Sequence, residues 1–290
     1  LDNGALLSTF VDGDLVLLID AKDRRRMITL SSGKQYFTHH GAIDHDLLIG
    51  SEQGRIVRTP NGTPYLALKP LLRDFVLSMP RGAAVIYPKD ASLIIGYADL
   101  YPGARVLEAG VGSGALSASI LRAVGTTGSL VSYERRADFA EIAQSNVQKF
   151  LGFQPQNWQV HVDDLLANDQ SGFTHVFLDM LEPWLVLDIA SKAMTGGGVL
   201  MAYVATTTQL SSMVEAIRES GYFTEPEPLE LILRNWHSEG LAVRPVHRMI
   251  GHTGFLIFAR RMALGEAPLV KRRRPTTSGK LLQETDLEQK

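Results

Sequence analysis

Between Glu108 and Gly114 the chain reads Glu-Ala-Gly-Val-Gly-Ser-Gly, an acid followed by glycines at alternate positions. Gly110, Gly112 and Gly114 let backbone come close to a bound molecule, and a helix opening near Ala115 and Leu116 offers it unpaired N–H groups. Three more acidic positions follow the ends of later apolar runs: Glu134, the pair Asp163-Asp164, and Asp179. If each run is a strand of one parallel sheet, all of these acids fall at the carboxyl edge, where open α/β sheets bind ligands. There, Glu134 can accept both hydroxyls of a ribose, and Asp164 can accept a hydrogen bond from an adenine amino group. Asp163, taken alone, also suits a helix cap.

The glycine turn is ambiguous by itself, because Gly110 to Ala115 also satisfies the dinucleotide pattern G-x-G-x-x-A. An NAD-dependent oxidoreductase would share both the turn and Glu134. Glu108 separates the readings: it would repel a pyrophosphate, whereas it attracts a sulfonium and an ammonium group. The acids together therefore point to S-adenosyl-L-methionine (AdoMet) as cofactor and to methyl transfer.

The rest of the chain must position these residues. From Arg105 onward, strands alternate with helices. Arg105–Ala109, Ser129–Tyr133, Trp158–Val162, His175–Leu178 and Gly198–Val204 read as strands, while Leu116, Ile120 and Val124, then Ala140, Ala143 and Val147, recur at helical spacing. A further amphipathic helix is expected near Gln209–Glu219, and Leu229–Leu233 with Thr253–Ala259 can supply a terminal antiparallel pair. The fold class expected is α/β, a Rossmann-like sheet covered on both faces. Before it, Leu15–Ile19 and Met27–Leu30 flank a charged turn, and Arg55–Arg58 and Tyr65–Leu68 flank Pro60-Asn61-Gly62-Thr63-Pro64. These are hairpin signals, and several short strands with tight turns suggest a small barrel or sandwich. The division expected is a small β domain over residues 1–70, a catalytic domain over 71–262 and a basic flexible tail over 263–290.

Composition narrows the class without naming it. The 290 residues are 45% hydrophobic and 21% charged, with no cysteine, so no disulfide framework or cysteine-ligated zinc is possible. No apolar run approaches the ~18 residues of a membrane span, and a soluble, cytoplasmic protein is expected. A net charge of −2 gives no global attraction to nucleic acid. The basic cluster at Arg24–Arg26 reads as a solvated hairpin tip, and that at Lys271–Arg274 equally as a flexible extension or a phosphate-binding arm. The histidines and acids of His39-His40-Gly41-Ala42-Ile43-Asp44-His45-Asp46 match no compact metal spacing and read as a polar turn, structural or RNA-contacting. His252 either lines the rim of the site or satisfies backbone at a turn, and Trp184 reads as packing, with shaping of the substrate entrance as its alternative.

The segments Tyr87-Pro88-Lys89-Asp90, Val106 to Gly114, Ser132-Tyr133-Glu134, Leu178 to Trp184 and Gly251 to Leu256, in this order, resemble the bacterial and archaeal tRNA (adenine-N1)-methyltransferases that modify adenosine 58 of the T-loop, most closely their actinobacterial branch. The resemblance runs from about residue 8 to residue 262. It implies an AdoMet-dependent enzyme acting on tRNA, an N-terminal β domain serving RNA binding or oligomerisation, and a homotetramer. Carried over by position, Ser113, Gly114, Ala115 and Leu116 hold the methionine part of AdoMet, Glu134 the ribose and Asp164 the adenine side. Asp179 lies between cofactor and target base, and Tyr87 near the substrate pocket. Phe139 replaces a residue, often histidine, that flanks the adenine; it keeps apolar packing and removes a polar contact. The Asn-Pro-Pro-Tyr type motif of exocyclic-amino methyltransferases is missing, and Asp179-Met180-Leu181 stands in that strand end, which agrees with attack by a ring nitrogen. Methylation of another RNA or of a protein carboxyl group is the nearest alternative, and a silent RNA-binding subunit a more distant one.

Overall fold

The computed structural model describes residues 9–82 and 84–269; the basic cluster Lys271–Arg274 lies outside the described residues. The N-terminal region holds six strands: β1 (Leu15–Asp20), β2 (Arg25–Thr29), β3 (Gln35–Thr38), β4 (Gly41–Asp44), β5 (Arg55–Arg58) and β6 (Pro64–Leu68). Four of them form an antiparallel sheet in the order β2-β1-β6-β5, and β3 pairs with β4 as a separate hairpin. The charged turn between β1 and β2 is closed by Asp20, whose carboxylate accepts the N–H groups of Lys22 and Arg24 at 2.9 and 3.0 Å. Alternate side chains of these strands, with Phe10, Leu30 and Leu48, enclose a small core of their own.

Two helices not anticipated from periodicity, α1 (Leu72–Ser78) and α2 (Pro88–Tyr97), lead into the larger region. The first is the joint between the two parts. Phe75 and Val76 pack with Met79, Val85 and Ala115 on one side and with Leu15 and Met27 of the β region on the other. Arg25 also donates to Asp74 at 3.0 Å.

The larger region runs β7 (Arg105–Ala109), α3 (Ala115–Val124), β8 (Ser129–Tyr133), α4 (Ala137–Leu151), β9 (Trp158–His161), β10 (Phe173–Leu178), α5 (Leu187–Ala193), β11 (Met194–Val204), α6 (Thr207–Ser220), β12 (Glu227–Leu229), β13 (Trp236–Glu239), β14 (Ala242–Pro245) and β15 (Phe255–Arg260). Seven of these strands make one sheet in the order β12-β15-β11-β10-β7-β8-β9. β15 runs antiparallel between β11 and β12, while the five strands from β11 to β9 are parallel. Along each strand the side chains alternate between two cores. Leu107 and Ala109 face α5 and α6, whereas Val106 faces α2, α3 and α4. Both faces are thus covered, as the continuous apolar runs require. α6 starts with a reciprocal cap: Thr206 Oγ accepts the N–H of Gln209, and Gln209 Oε1 accepts the N–H of Thr206.

The expected terminal pair forms, but as Glu227–Leu229 against Phe255–Arg260. The residues between them make an arm whose far part is the β13–β14 hairpin. Its large apolar side chains face outward, with Trp236 at 62% and Leu241 at 104% exposure. That outward placement is why no core-type periodicity marks the arm in the sequence.

Candidate active site

The parallel strands bring the predicted acids to one edge. The turn after β7 carries Glu108 and the glycines, β8 ends at Glu134, β9 leads into Asp163-Asp164, and β10 ends at Asp179. Gly110 is the hinge of this edge. Its N–H donates to Tyr133 O at 3.0 Å, and Asp179 N–H donates to Ala109 O at 2.8 Å, tying β7 to both neighbours. Its φ is +85°, and a Cβ there would lie 1.8 Å from the Asp179 carbonyl oxygen. Only glycine lets the two strand ends meet. Gly114 serves a different purpose: a Cβ would lie 3.0 Å from Ala143 O and 3.1 Å from Val147, so it allows α3 to pack closely on α4.

Glu108 is buried beneath the turn. Its Oε2 accepts the hydroxyls of Ser117 and Ser132, both at 2.7 Å, and Ser132 in turn accepts Trp158 Nε1–H at 2.8 Å. Its Oε1 is buried with no partner, and so is Ser113 Oγ. Burial raises the Glu108 carboxyl to about 7 against the pull of the two serines, with Asp179 and Glu134 pushing it up further. Glu134 is turned into the glycine loop, accepting Gly112 N–H through Oε2 and Arg136 N–H through Oε1, each at 3.1 Å. Asp179 keeps part of its surface open. Enough protein still surrounds it that desolvation, then the charge of Glu134, raises it to about 7. Glu108, Glu134 and Asp179 therefore share one electrostatic environment.

The remaining expected residues are placed less uniformly. Asp164 caps the single turn Leu165–Ala167 by accepting Leu166 N–H at 2.9 Å, and faces Arg135 at 3.7 Å. Phe139 is buried, with the Arg136 guanidinium 3.0 Å above its ring and Gly82 against its edge. Leu116 belongs to the core over α3, and the side chain of Ala115 lines a separate concavity of about 410 Å³ between α1, α2 and α3. Both therefore offer a ligand only backbone, at a helix start whose first N–H groups have no intrahelical partner. Tyr87 precedes α2 and its carbonyl caps the helix through Asp90 N–H and Ala91 N–H.

Several members of the site carried no signal in spacing. Tyr203 near the end of β11 donates to Thr253 O at 2.7 Å. Burial raises its hydroxyl well above the ordinary tyrosine range, and the charge of Asp90 adds to this, followed by Asp179 and Tyr87. Tyr203 thus lies within electrostatic reach of Asp90, Asp179 and Tyr87; in the sequence it is one apolar-strand residue among others. Ser117, Ser132 and Trp158 were equally silent, because each looks like ordinary helix or strand filler until the fold stacks them under Glu108.

His45 is buried and its Nδ1 accepts Ser31 N–H at 2.9 Å. Arg24 and Arg25 are paired with Asp20, Asp23 and Asp74. Trp184 packs against the core under α5 and α6. His252 bonds both Glu230 and the Ala205 carbonyl.

Residues 65–240 match the family described as the tRNA methyltransferase complex GCD14 subunit, and residues 9–57 match the TrmI-like N-terminal family. Among curated proteins, the tRNA (adenine(58)-N(1))-methyltransferase TrmI of Thermus thermophilus is 36% identical over 85% of this chain and 96% of its own length. A solved SAM-dependent O-methyltransferase from Thermotoga maritima superposes with a TM-score of 0.84 at 32% identity, covering 93% of this chain and 98% of its own. The tRNA (m1A58) methyltransferase TrmI from Aquifex aeolicus gives 0.77 at 27% identity, covering 88% and 99%. With its glycine turn, its ring of strand-end acids and both regions matched in order, the chain belongs to the GCD14/TrmI family of tRNA methyltransferases.

Proposed function

We propose that this protein transfers a methyl group from AdoMet to N1 of adenosine 58 in the T-loop of tRNA. The observation that carries this reading is the junction of Glu108, Glu134 and Asp179 around a glycine turn that also leaves Ser113 Oγ and Glu108 Oε1 unsatisfied. Buried polar atoms without partners call for an explanation, which a bound ligand supplies here, and three crowded carboxylates select a cation and repel a pyrophosphate. The residues fit AdoMet: Ser113 and the start of α3 on the methionine side, Glu134 at the ribose, and Asp164 toward the adenine. In this placement Phe139 supports the adenine side from within the protein, as a wall stiffened by Arg136.

AdoMet supplies an electrophilic methyl group on a sulfonium. The protein has no proton to remove from its target before attack, since N1 of neutral adenine carries a lone pair. Its task is to hold the base in line and to accommodate the positive charge that grows on the ring. Asp179, at the open end of the cluster, accepts the exocyclic amino group and stabilises that charge, in a site where little water competes. Tyr87 positions the base, which must first leave its stack at a cost of about a few kcal/mol.

The outward apolar side chains of the β13–β14 arm support self-association as a homotetramer, because exposed patches of this kind mark contact surfaces. In the same reading, residues 1–70 form an RNA-contacting or oligomerising β domain, residues 71–262 form the catalytic domain, and residues 263–290 form a basic tail. The enzyme then works in the cytoplasm beside its tRNA substrate. The test is incubation with methyl-labelled AdoMet and an unmodified tRNA transcript, followed by nucleoside analysis. Labelled 1-methyladenosine that disappears when position 58 is changed is the expected result. Label in protein or in another nucleoside would overturn it.

A further inference from the structure

Tyr-Pro-Lys-Asp at residues 87–90 and Gly-His-Thr at 251–253 are far apart in the chain, yet the fold makes one cluster of them. Lys89 Nζ donates to Asp90 Oδ1 at 2.7 Å, to Leu231 O at 2.6 Å and to Thr253 Oγ1 at 2.7 Å. The Thr253 hydroxyl in turn donates to Asp90 Oδ2 at 2.7 Å. The ammonium thereby uses all three of its donors, and both carboxylate oxygens are engaged. Asp90 is 0% exposed and the Lys89 side chain 9%. A buried ion pair is a poor source of stability compared with apolar packing, and its best-attested use is to specify one arrangement among several.

The arrangement specified here is the root of the arm. Leu231 is where the chain leaves β12 and Thr253 is where it returns to β15, so Lys89 grips both ends of the excursion. The returning end lies directly on Tyr203. A Cβ on Gly254 would be 2.3 Å from the Tyr203 ring, and Tyr203 donates to the Thr253 carbonyl. A second tie, His252, joins Glu230 at 2.7 Å to the Ala205 carbonyl at 2.8 Å.

We propose that Lys89, Asp90 and Thr253 are positioning residues for methyl transfer: they fix the arm root on Tyr203, and so set the wall that an incoming nucleobase meets beside Tyr87 and Asp179. This rests on the function proposed above for the acid cluster. Movement of the root displaces the tyrosine without touching the cofactor turn, so the cost falls on turnover and not on AdoMet affinity.

The decisive comparison is Thr253→Val against Thr253→Ser, which respectively remove and keep the hydroxyl at the centre of the cluster. For Thr253→Val, kcat on tRNA should fall by about tenfold or more, since misplacement of the order of 1 Å is enough for that. Calorimetric AdoMet affinity should be unchanged, and hydrogen exchange at the amides flanking Leu231 and Thr253 should accelerate. Thr253→Ser should restore all three readouts. Unchanged kcat and exchange in Thr253→Val would overturn the proposal, and so would equal losses in both variants. Should Thr253→Val not fold, the wild-type exchange pattern decides. Root amides must exchange more slowly than those of β13 and β14, and a root as fast as the hairpin refutes the cluster. If the wild-type protein methylates no tRNA, the proposed function fails while the exchange data still judge the cluster.

Discussion

Replacing Gly110 by alanine tests whether the glycine turn exists to join Ala109 to Asp179. The new Cβ would sit 1.8 Å from the Asp179 carbonyl oxygen, where ordinary contacts start near 3.4 Å, so one strand end must retreat by the difference. Neither end is free to do so cheaply. Gly110 N–H is bonded to Tyr133 O and Asp179 N–H to Ala109 O. A left-handed φ costs alanine roughly 1–2 kcal/mol, and forced overpacking typically adds about 1–3 kcal/mol. At roughly 2–4 °C per kcal/mol for a protein of this size, the melting temperature should fall by roughly 5–15 °C. Turnover should fall further than stability explains, because shifting Asp179 by more than ~1 Å costs on the order of a hundredfold. Gly128→Ala is the control: its Cβ would meet Ala104 O and Val124 at 2.6 Å, away from the acids, so it should destabilise without the same loss of kcat. The measurements are thermal unfolding by circular dichroism and single-turnover methylation of a tRNA transcript below the melting range. A Gly110→Ala protein whose kcat falls no more than that of Gly128→Ala would refute the reasoning.

Further outcomes follow from the same geometry. Asp179→Asn should lower turnover by about a hundredfold with AdoMet affinity largely retained, and equal turnover would remove Asp179 from the mechanism. Because the folded protein holds the Asp179 carboxyl at about 7 instead of 3.8, kcat/KM should rise with pH through neutrality as the carboxylate forms. The same shift means that the folded state binds this proton more tightly than the unfolded chain does. Stability should therefore decline between about pH 4 and pH 7, Glu108 contributes a decline of the same sign, and Asp179→Asn should lessen the total without abolishing it in denaturant titrations. His252 has an acceptor at each ring nitrogen, Glu230 first and then the Ala205 carbonyl, and these raise its pKa. Its NMR titration should have a midpoint above the ordinary ~6.5, and Glu230→Gln should bring it down; a midpoint indifferent to that change would break the proposed tie. Finally, Leu241→Asp on the arm should shift light scattering toward smaller species with the circular dichroism unchanged, and an unaltered mass would move the contact surface elsewhere.

What was legible in the sequence follows a simple physical line. Strands and helices that bury one face against the sheet announce themselves by period, so β7 to β11, α3, α4 and α6 fall close to where they were expected. The acids were legible because they interrupt apolar runs at their ends, and the glycines because backbone at Gly110 tolerates nothing larger. The arm was not, since Trp236, Leu241 and Val243 point outward and supply no core pattern. Nor were α1, α2, α5, β3 and β4, for which no period was read in the sequence. Ser117, Ser132 and Trp158 matter only through contacts made across three elements, and the Lys89 cluster through residues as distant as Thr253. For Glu108, charge alone suggested direct attraction to a cation. The structure adds that one of its oxygens is already committed to two serines, leaving the other to act.

The insertion of β15 between β11 and β12 has a consequence for the newborn chain. As the polypeptide emerges, β11 appears long before the neighbour that will cover its outer margin, and β12 has nowhere to attach until that same neighbour arrives. For this interval the nascent sheet presents a bare row of amides and carbonyls on a strongly apolar strand, the kind of margin on which chains aggregate. Synthesis of Phe255–Arg260 thus covers the β11 margin, gives β12 its place in the sheet and draws the two ends of the arm together.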